Sequence, residues 1–304
     1  MEVRKTNLSI FNFKMKKFIK RGVLFLIITG IVSLVVGFLS VFISKQTFDY
    51  KIKEKKNILI VGNSHTECSI NDSILSNSIN LSQSASSYFY SYMKIREFTK
   101  YNPQIDTVII SFSDNDLFSE KEKWFSSSEK INNKMTRHII LFNKDDYLDL
   151  FKSNPIEVIV QTFILYSDFY NLHTKKRDFI GSYNKINVNK IDEDIIEFNR
   201  SPPIIDSIIA ITELQYLLKI YNFTQENEIK LILLNTPIHP ILEKHFSVIR
   251  QRNCSSIARD QMPNATYSDH TSFVLKNSDY ADLSHLNNKG SNKYSEFLQS
   301  IFNK

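Results

Sequence analysis

Glycine is scarce in this sequence, which has only six in 304 residues. Nucleotide-binding folds need glycine-rich loops where the backbone approaches a phosphate, and no such loop is present. His, Cys, Asp and Glu residues at the spacing of metal ligands are also missing. These absences argue against a nucleotide-dependent or metal-dependent enzyme, and we expect neither a metal nor another cofactor. The two cysteines, Cys68 and Cys254, could pair in an oxidising compartment or remain free buried thiols.

Positive charge is confined to the N-terminal part of the chain. Residues 1–56 contain 12 Lys and Arg against 3 Asp and Glu, whereas the remaining 248 residues contain 26 against 29. A nucleic-acid-binding domain should itself present a positive surface. The charge distribution therefore gives no reason to propose nucleic acid as a partner.

A long uncharged stretch follows this basic segment. Residues 22–43 contain no charged residue over 22 positions, and a helix of that length spans the roughly 30 Å hydrocarbon core of a bilayer. A buried core helix of this length would usually carry some charge, and a cleaved signal peptide would be shorter and end at a small-residue site. We therefore predict an uncleaved transmembrane anchor at 22–43.

The charges on either side of the anchor indicate its orientation. Seven Lys and Arg precede residue 22 and five follow residue 43 before the first predicted strand. This bias favours a cytoplasmic N-terminus. We predict a cytoplasmic tail at 1–21, a linker at 44–56, and a domain at 57–304 on the periplasmic or extracellular side of the cell membrane, held by a single pass.

Short apolar runs alternate with helical patterns along residues 57–304, which is typical of an α/β fold with a doubly wound parallel sheet. Strands are predicted at 58–61, 79–81, 107–111, 230–234 and 265–267. Helices are predicted around 88–98, at 204–221 and at 287–302. Between the third and fourth strands, residues 117–201 show no strand pattern, and we expect a mostly helical insertion. Such an insertion could cap the active edge of the sheet or simply pack beside it.

Three side chains have the chemistry of a nucleophilic site. Ser64 follows the first strand, at the sheet edge where ligands bind in open α/β folds. Asp282 and His285 are three residues apart, so that one turn can place both on the same side. A serine hydroxyl becomes a good nucleophile when an imidazole takes its proton and a carboxylate orients that imidazole. The pattern makes Ser64, His285 and Asp282 candidates for a catalytic triad. The alternative from the residues alone is that Asp282 and His285 belong to a solvated surface turn.

Four blocks in this order resemble those of the SGNH (GDSL-like) hydrolase superfamily. They are Gly62–His65, Asn80–Ala85, Ser113–Asp116 and Asp282–Asn287 with Gly290. The resemblance covers residues 57–116 and 230–302 and leaves the insertion unmatched. It implies a three-layer, flavodoxin-like fold and acyl-ester chemistry.

The resemblance also implies an oxyanion hole. Its donors would be the backbone N–H of Ser64, a backbone N–H near Ala85, and the side-chain amide of Asn115. The sequence departs from the family at two positions, because Ala85 and Ser113 stand where glycine is usual. If either position requires a positive φ, its side chain would be strained.

An anchor combined with this domain is similar to the membrane-tethered branch of the superfamily, whose members act on cell-surface polymers. The resemblance implies a serine esterase or O-acyltransferase, with acetyl as the acyl group, acting on a bacterial cell-envelope polysaccharide. A polytopic membrane acyltransferase that supplies acyl groups is a candidate partner. The alternative is a non-catalytic domain that binds glycan or helps to assemble an envelope complex. Hydrolysis and transfer are not separated by these residues.

Three further histidines lie near acidic or turn residues. His65 adjoins the nucleophile and His239 follows the fourth strand, and both are candidate substrate contacts. A hydrogen-bonding role for His65 and a structural turn for His239 are the alternatives. His270, next to Asp269, is the reserve acid–imidazole pair should Asp282 and His285 face away from Ser64.

Overall fold

The computed structural model describes residues 8–52, 55–113, 116–167, 177–202, 208–246 and 248–302. Five strands form one sheet: β1 (Ile58–Val61), β2 (Ser78–Asn80), β3 (Thr107–Ser111), β4 (Lys230–Asn235) and β5 (Thr266–Asp269). The prediction of all five strands is confirmed to within two residues at each end. β-branched and apolar residues fill the three central strands, and turn residues such as Gly62 and Pro103 separate them from their neighbours.

The remaining described elements are mostly helical. The helices before β4 are α1 (Leu8–Thr47), α2 (Ser64–Ser69), α3 (Tyr88–Tyr101), α4 (Glu122–Ser126), α5 (Ser128–His138), α6 (Lys144–Ser153), α7 (Pro155–Ser167), α8 (Ile191–Arg200) and α9 (Ile211–Glu226). Those after β4 are α10 (Pro240–His245), α11 (Val248–Gln261) and α12 (Asn288–Phe302). Short 3₁₀ turns lie at Ser119–Lys121, Ile139–Leu141, Arg177–Phe179 and Asn277–Asp279.

All strand pairs are parallel, and the order across the sheet is β2-β1-β3-β4-β5. The direction of winding therefore reverses between β1 and β3, and the loops after these two strands separate at that point. Such a switch point leaves a crevice at the carboxyl ends of the strands. Ser64 and the segment after Ser111 both lie at this edge.

Side chains of the strands alternate between two hydrophobic clusters, one on each face of the sheet. Leu59, Val108 and Leu231 belong to the cluster that includes residues of α3, α5 and α9. Ile60, Ile109 and Ile232 belong to the cluster that includes residues of α10 and α12. The sheet is therefore covered by helices on both sides, which explains why its central strands are apolar on both faces.

Helix α1 is the one helix among the described residues that is long and apolar enough to cross a membrane. It runs beyond the predicted 22–43 at both ends, and one stripe of it is wholly or partly buried against the rest of the chain. The predicted linker at 44–56 is only partly extended. Helix α1 continues to Thr47, the Tyr50 hydroxyl donates to the Ile140 carbonyl at 2.8 Å, and Asn102 Oδ1 accepts from the Ile52 N–H at 2.7 Å.

The described part of the insertion at 117–201 is mostly helical, as predicted, with a non-helical stretch at 180–190. It contacts two regions. Helices α6 and α7 pack together, and α7 also packs against α1. The segment after residue 180 runs along the sheet edge, where the Ser182 N–H donates to the Ser82 carbonyl at 3.2 Å and the Asn184 N–H to the Glu67 carbonyl at 2.9 Å. The insertion thus lies both beside the sheet and along the edge that carries Ser64.

The helix predicted at 204–221 begins later, at Ile211. Residues 203–207 lie outside the described residues, but the chain from Ile208 to Ala210 is not helical. Ile209 forms an antiparallel bridge with Phe118, and the Ala210 N–H donates to the Leu117 carbonyl at 2.7 Å. This pairing with the start of the insertion overrides the helical pattern of the sequence.

Candidate active site

The turn after β1 places Ser64 at the first position of α2. Gly62 has φ +147, and a Cβ on it would lie 2.5 Å from Ser111 Cβ and 2.6 Å from Thr66 Oγ1. Only glycine fits there without a shift of the neighbouring strand. The Asn63 side chain then accepts from the His65 N–H at 2.9 Å and caps α2. The turn is sharp, and it presents the Ser64 hydroxyl at the end of the sheet.

Ser64, His285 and Asp282 lie together at this edge. The Ser64 Oγ is 2.8 Å from His285 Nε2. On the other side of the ring, Nδ1 lies 3.0 Å and 2.9 Å from the two carboxylate oxygens of Asp282. This network assigns the ring hydrogen to Nδ1, which donates to Asp282, so that Nε2 accepts the serine proton. The geometry has the form of a nucleophile, a base and an orienting acid.

Asp282 is held in its charged form. Partial burial opposes ionisation, but the hydrogen bond and charge of His285 and the backbone N–H groups of Ser284 and His285 outweigh it, so the pKa of Asp282 lies below its ordinary value. These two N–H groups donate to Asp282 Oδ1 at 2.7 Å and 2.8 Å. A carboxylate fixed by three donors orients the imidazole without taking its proton.

His65 is buried, and its ring lies beside that of His285 with 5.4 Å between the centroids. Burial, with smaller contributions from His285 and Lys121, lowers the pKa of His65 to about 3, so the ring is neutral at physiological pH. The substrate contact through His65 stays a prediction. In the structure, its ring packs beside that of His285, the base of the proposed triad.

Asp116 connects the turn after β1 to the third block, a role that no local sequence pattern indicated. Its carboxylate accepts from the Asn63 side-chain amide, from the Ser111 hydroxyl at 3.1 Å, and from the Ser113 N–H at 2.7 Å. Burial raises the pKa of Asp116, while Lys121 and the Ser113 donors act in the opposite direction. The contacts of Asp116 position the turn that carries Ser64.

The second block contacts the turn after β1 through Gln83, whose N–H donates to the Gly62 carbonyl at 3.0 Å, and two residues later Ala85 has φ 53. The expected strain is therefore present at this position, where a left-handed conformation favours glycine. The neighbouring Ser84 is held by two residues: its carbonyl accepts from Lys134 Nζ, and its hydroxyl donates to the Glu67 carboxylate. Asn115, the predicted side-chain donor of the oxyanion hole, lies outside the described residues.

Lys134 belongs to the insertion, and its position next to the second block was not predicted. Its Nζ also donates to Gln83 Oε1 at 3.1 Å. Burial, assisted by the charge of Arg137, lowers the pKa of Lys134 to about 8. Because Lys134 follows the second block by about 50 residues, no local sequence signal could identify this contact.

His239 is a helix cap. Its Nδ1 accepts from the Ile241 N–H at 3.3 Å, its Nε2 lies 3.2 Å from Asn277 Oδ1, and only 4% of the residue is exposed. Of the two interpretations of His239 from the sequence, a substrate contact or a structural turn, these contacts favour the structural turn.

The reserve pair of Asp269 and His270 is not arranged around Ser64. His270 Nδ1 lies 2.8 Å from the Tyr294 hydroxyl and Nε2 lies 3.0 Å from Ser268 Oγ.

Cys68 and Cys254 are separate, buried thiols. Burial, with smaller contributions from Glu67 and Asp282, raises the pKa of Cys68 to about 12. Among the described residues, no group of His, Cys, Asp and Glu has the arrangement of a metal site.

Glu213 lies behind the nucleophile turn and supports α3. Its Oε2 accepts from the Tyr88 N–H at 2.7 Å. Burial raises the pKa of Glu213 to about 8, a change that the Tyr88 N–H opposes and the nearby Asp116 increases. At neutral pH the folded protein therefore keeps a proton on this carboxyl that the unfolded chain would release.

This proton gives a pH dependence of stability. Because the pKa of Glu213 in the folded state is above the ordinary value of 4.5, its contribution to stability is full below about pH 4.5 and is lost as the pH rises through about 8. In the wild type, titration of Glu213 should lower the free energy of unfolding by up to about 1 kcal/mol per pH unit over this window. Glu213→Gln cannot titrate, so its free energy of unfolding should fall less steeply by that amount. Thermal unfolding at several pH values measures it. Glu226→Gln, at the exposed end of the same helix, is the control, and equal pH profiles for the two variants would contradict the assignment.

The comparisons with known proteins give one partial match. The model of an uncharacterised protein family matches residues 204–304, which is about a third of the chain. This range includes β4, β5 and the segment of Asp282 and His285, but it excludes Ser64. Neither the comparison with curated proteins nor the comparison with solved structures finds a match.

Proposed function

We propose that this protein is a membrane-anchored serine esterase or O-acyltransferase with an SGNH hydrolase fold. One observation carries the proposal: Ser64, His285 and Asp282 form a continuous hydrogen-bonded series at the carboxyl edge of a parallel sheet. Ser64 is separated from His285 by 221 positions in the chain. The strand order β2-β1-β3-β4-β5 is that of a flavodoxin-like doubly wound sheet, which also supports the fold assignment.

In the proposed reaction, the Ser64 hydroxyl gives its proton to His285 Nε2 while Oγ attacks the carbonyl carbon of an acyl ester. The tetrahedral intermediate collapses, the C–O bond to the leaving alcohol breaks, and His285 returns the proton to that alcohol. Water or a sugar hydroxyl then gives its proton to His285 and attacks the acyl carbon of the Ser64 ester. The bond from this carbon to Ser64 Oγ breaks, and His285 returns the proton to Oγ. Attack by water gives hydrolysis, and attack by a sugar hydroxyl gives transfer.

The backbone N–H groups of Ser64 and Ala85 are proposed to stabilise the oxyanion, together with the Asn115 side chain. The positive φ of Ala85 supports this role, because strained backbone persists where surrounding contacts hold it. Here, Lys134 and Glu67 hold the preceding residue, Ser84, from opposite sides. Both contacts come from segments outside the second block.

The proposed anchor is α1, with the sheet domain outside the cytoplasmic membrane. Its support is an apolar surface, since large side chains such as Phe25 and Leu26 are more than 60% exposed along the helix. Water would solvate such a surface poorly, whereas lipid chains suit it. The proposed substrate is an envelope polysaccharide that carries acyl groups, with acetyl as the group moved. A polytopic acyltransferase is the proposed donor partner if the reaction is transfer.

Labelling with a fluorophosphonate probe tests the proposal. The full chain in detergent micelles should react at Ser64, because the probe captures serines activated by a base. Ser64→Ala should abolish the label, and Ser300→Ala, which changes an exposed serine of α12, should leave it intact. A folded wild-type protein that does not react would favour the alternative, a non-catalytic glycan-binding or assembly component.

A further inference from the structure

Helix α7 exposes an apolar face that the sheet domain does not cover. Five residues at helical spacing form this face: Ile156, Ile159, Val160, Phe163 and Ile164. Ile156 is 76% exposed and the other four are between 37% and 44% exposed. The one charged residue of the helix, Glu157, lies in its first turn and accepts from Gln161 at 2.9 Å. A contiguous surface of this kind marks a contact with another apolar phase or molecule.

The neighbouring part of α7 packs against α1. A Cβ on Gly37 would lie 3.3 Å from the Thr162 carbonyl oxygen, so the two helix backbones approach closely. Tyr147 of α6 joins the contact, with its hydroxyl 2.9 Å from Thr162 Oγ1 and its ring 6.1 Å from that of Phe38. Small residues at helix contacts are common within membranes, where close packing replaces the hydrophobic effect.

The position of Gly37 within α1 fixes the depth of this contact. Lys20 and Arg21 place the inner edge of the span near residue 22, and a hydrocarbon core of roughly 30 Å needs about 20 residues. The span therefore extends to about residue 41. At about 1.5 Å per residue, Gly37 lies about 6 Å inward from this outer edge of the hydrocarbon core. A helix in contact with Gly37 must share that depth.

We infer that α7 is embedded in the outer leaflet of the membrane beside α1, with its exposed apolar face in contact with lipid acyl chains. This inference rests on the proposed anchoring by α1. We infer that lipid, rather than another protein, covers this face of α7, because the face adjoins α1, whose own exposed apolar surface requires lipid. The sheet domain is thus held at two points rather than tethered through a flexible linker.

A groove between α1 and the insertion belongs to the same surface. It has a volume of about 300 Å³ and is lined mainly by apolar atoms of residues that include Phe38, Val41, Leu148 and Thr162. Its position beside Gly37 places it at acyl-chain depth, and a lipid chain would fill it. At its rim, Lys144 is suited to a phosphate headgroup.

Depth-dependent fluorescence quenching tests this inference in the full chain, reconstituted in phosphatidylcholine–phosphatidylglycerol nanodiscs. The buried Cys68 and Cys254 are replaced by alanine, and a single bimane label is placed at Phe163→Cys. Ile196→Cys, 53% exposed on α8, is the matched control, and Ile28→Cys on α1 reports the anchor. Nitroxide-labelled lipids should quench the label at 163 several-fold more strongly than the label at 196. Aqueous iodide should show the opposite preference.

The label on α1 separates the two proposals. If lipid nitroxides fail to quench at position 28, the proposed anchoring is wrong. If they quench at position 28 but iodide reaches position 163 as readily as position 196, the anchoring holds and the embedding of α7 is wrong. A label at 163 that is shielded from both quenchers would also overturn the inference, since a second copy or another protein would then cover the face.

Discussion

Ser64→Ala should lower the turnover of an activated acyl ester by a factor of about 10⁴ to 10⁶, because the proposed acyl-enzyme could no longer form. His285→Ala should cost a similar factor, since its Nε2 is the only base within 2.8 Å of the Ser64 hydroxyl among the described contacts. The two losses should not add. The double variant should retain about as much activity as either single variant, because nucleophile and base act as one unit.

Steady-state kinetics of the purified full chain measures these losses, with thermal unfolding to show that each variant is folded. Asp282→Asn provides an intermediate case. It should lower the turnover of the ester by a factor of up to about 10⁴, because the imidazole of His285 would lose its fixed tautomer. His270→Ala is the control for a histidine bonded elsewhere. Additive losses in the Ser64 and His285 variants, or full activity in either, would argue against the triad.

Gly62→Ala should destabilise the protein by on the order of 3 kcal/mol. Two physical effects combine at this position. A backbone with φ +147 is unfavourable for alanine, and the new Cβ would meet Ser111 Cβ at 2.5 Å. The strand that carries Ser111 would have to move, and the Asn63–Asp116 contact next to Ser64 would move with it.

Thermal and denaturant unfolding of the two glycine variants tests this expectation. Gly30→Ala is the control, because a Cβ at Gly30 meets no atom within 4 Å and alanine suits a helix interior. Its unfolding midpoint should stay near that of the wild type, whereas Gly62→Ala should unfold at a lower temperature and lose the proposed esterase activity. Equal midpoints for both variants would show that the turn after β1 tolerates a side chain.

The sheet could be predicted from the sequence because its strands have strong local signals. β1 is a short β-branched run that ends at Gly62, and β3 follows Pro103 with the apolar sequence of a buried strand. The grouping of Ser64 with Asp282 and His285 was expected on two grounds, the position of Ser64 after a parallel strand and the resemblance of four sequence blocks to the SGNH superfamily. Local sequence therefore predicted the parallel α/β sheet, and the role of the three side chains stays a prediction.

Contacts between distant segments could not be predicted in this way. Asp116 binds the nucleophile turn only because β1 and β3 are neighbours, and Lys134 reaches Ser84 only after the insertion folds back along the sheet. The start of α9 shows the same limit, because pairing of Ile209 with Phe118 keeps the preceding chain extended. In each case tertiary contact, rather than local preference, decides the position of the residue.

The apolar face of α7 is an intermediate case. Its helical spacing from Ile156 to Ile164 is visible in the sequence and is typical of a core helix. The structure instead leaves this face exposed and packs the helix against Gly37 of α1. Sequence thus predicts an apolar face, while the fold determines what that face contacts.

Intact-mass analysis of the protein after brief incubation with an activated acetyl ester tests the proposed chemistry most directly. The full chain should gain the mass of one acetyl group, and peptide mapping should place that group on the fragment containing Ser64. Ser64→Ala should gain none, and Ser300→Ala should behave like the wild type. Turnover of the ester without an adduct on Ser64, or an adduct that persists in Ser64→Ala, would contradict the proposed acyl-enzyme.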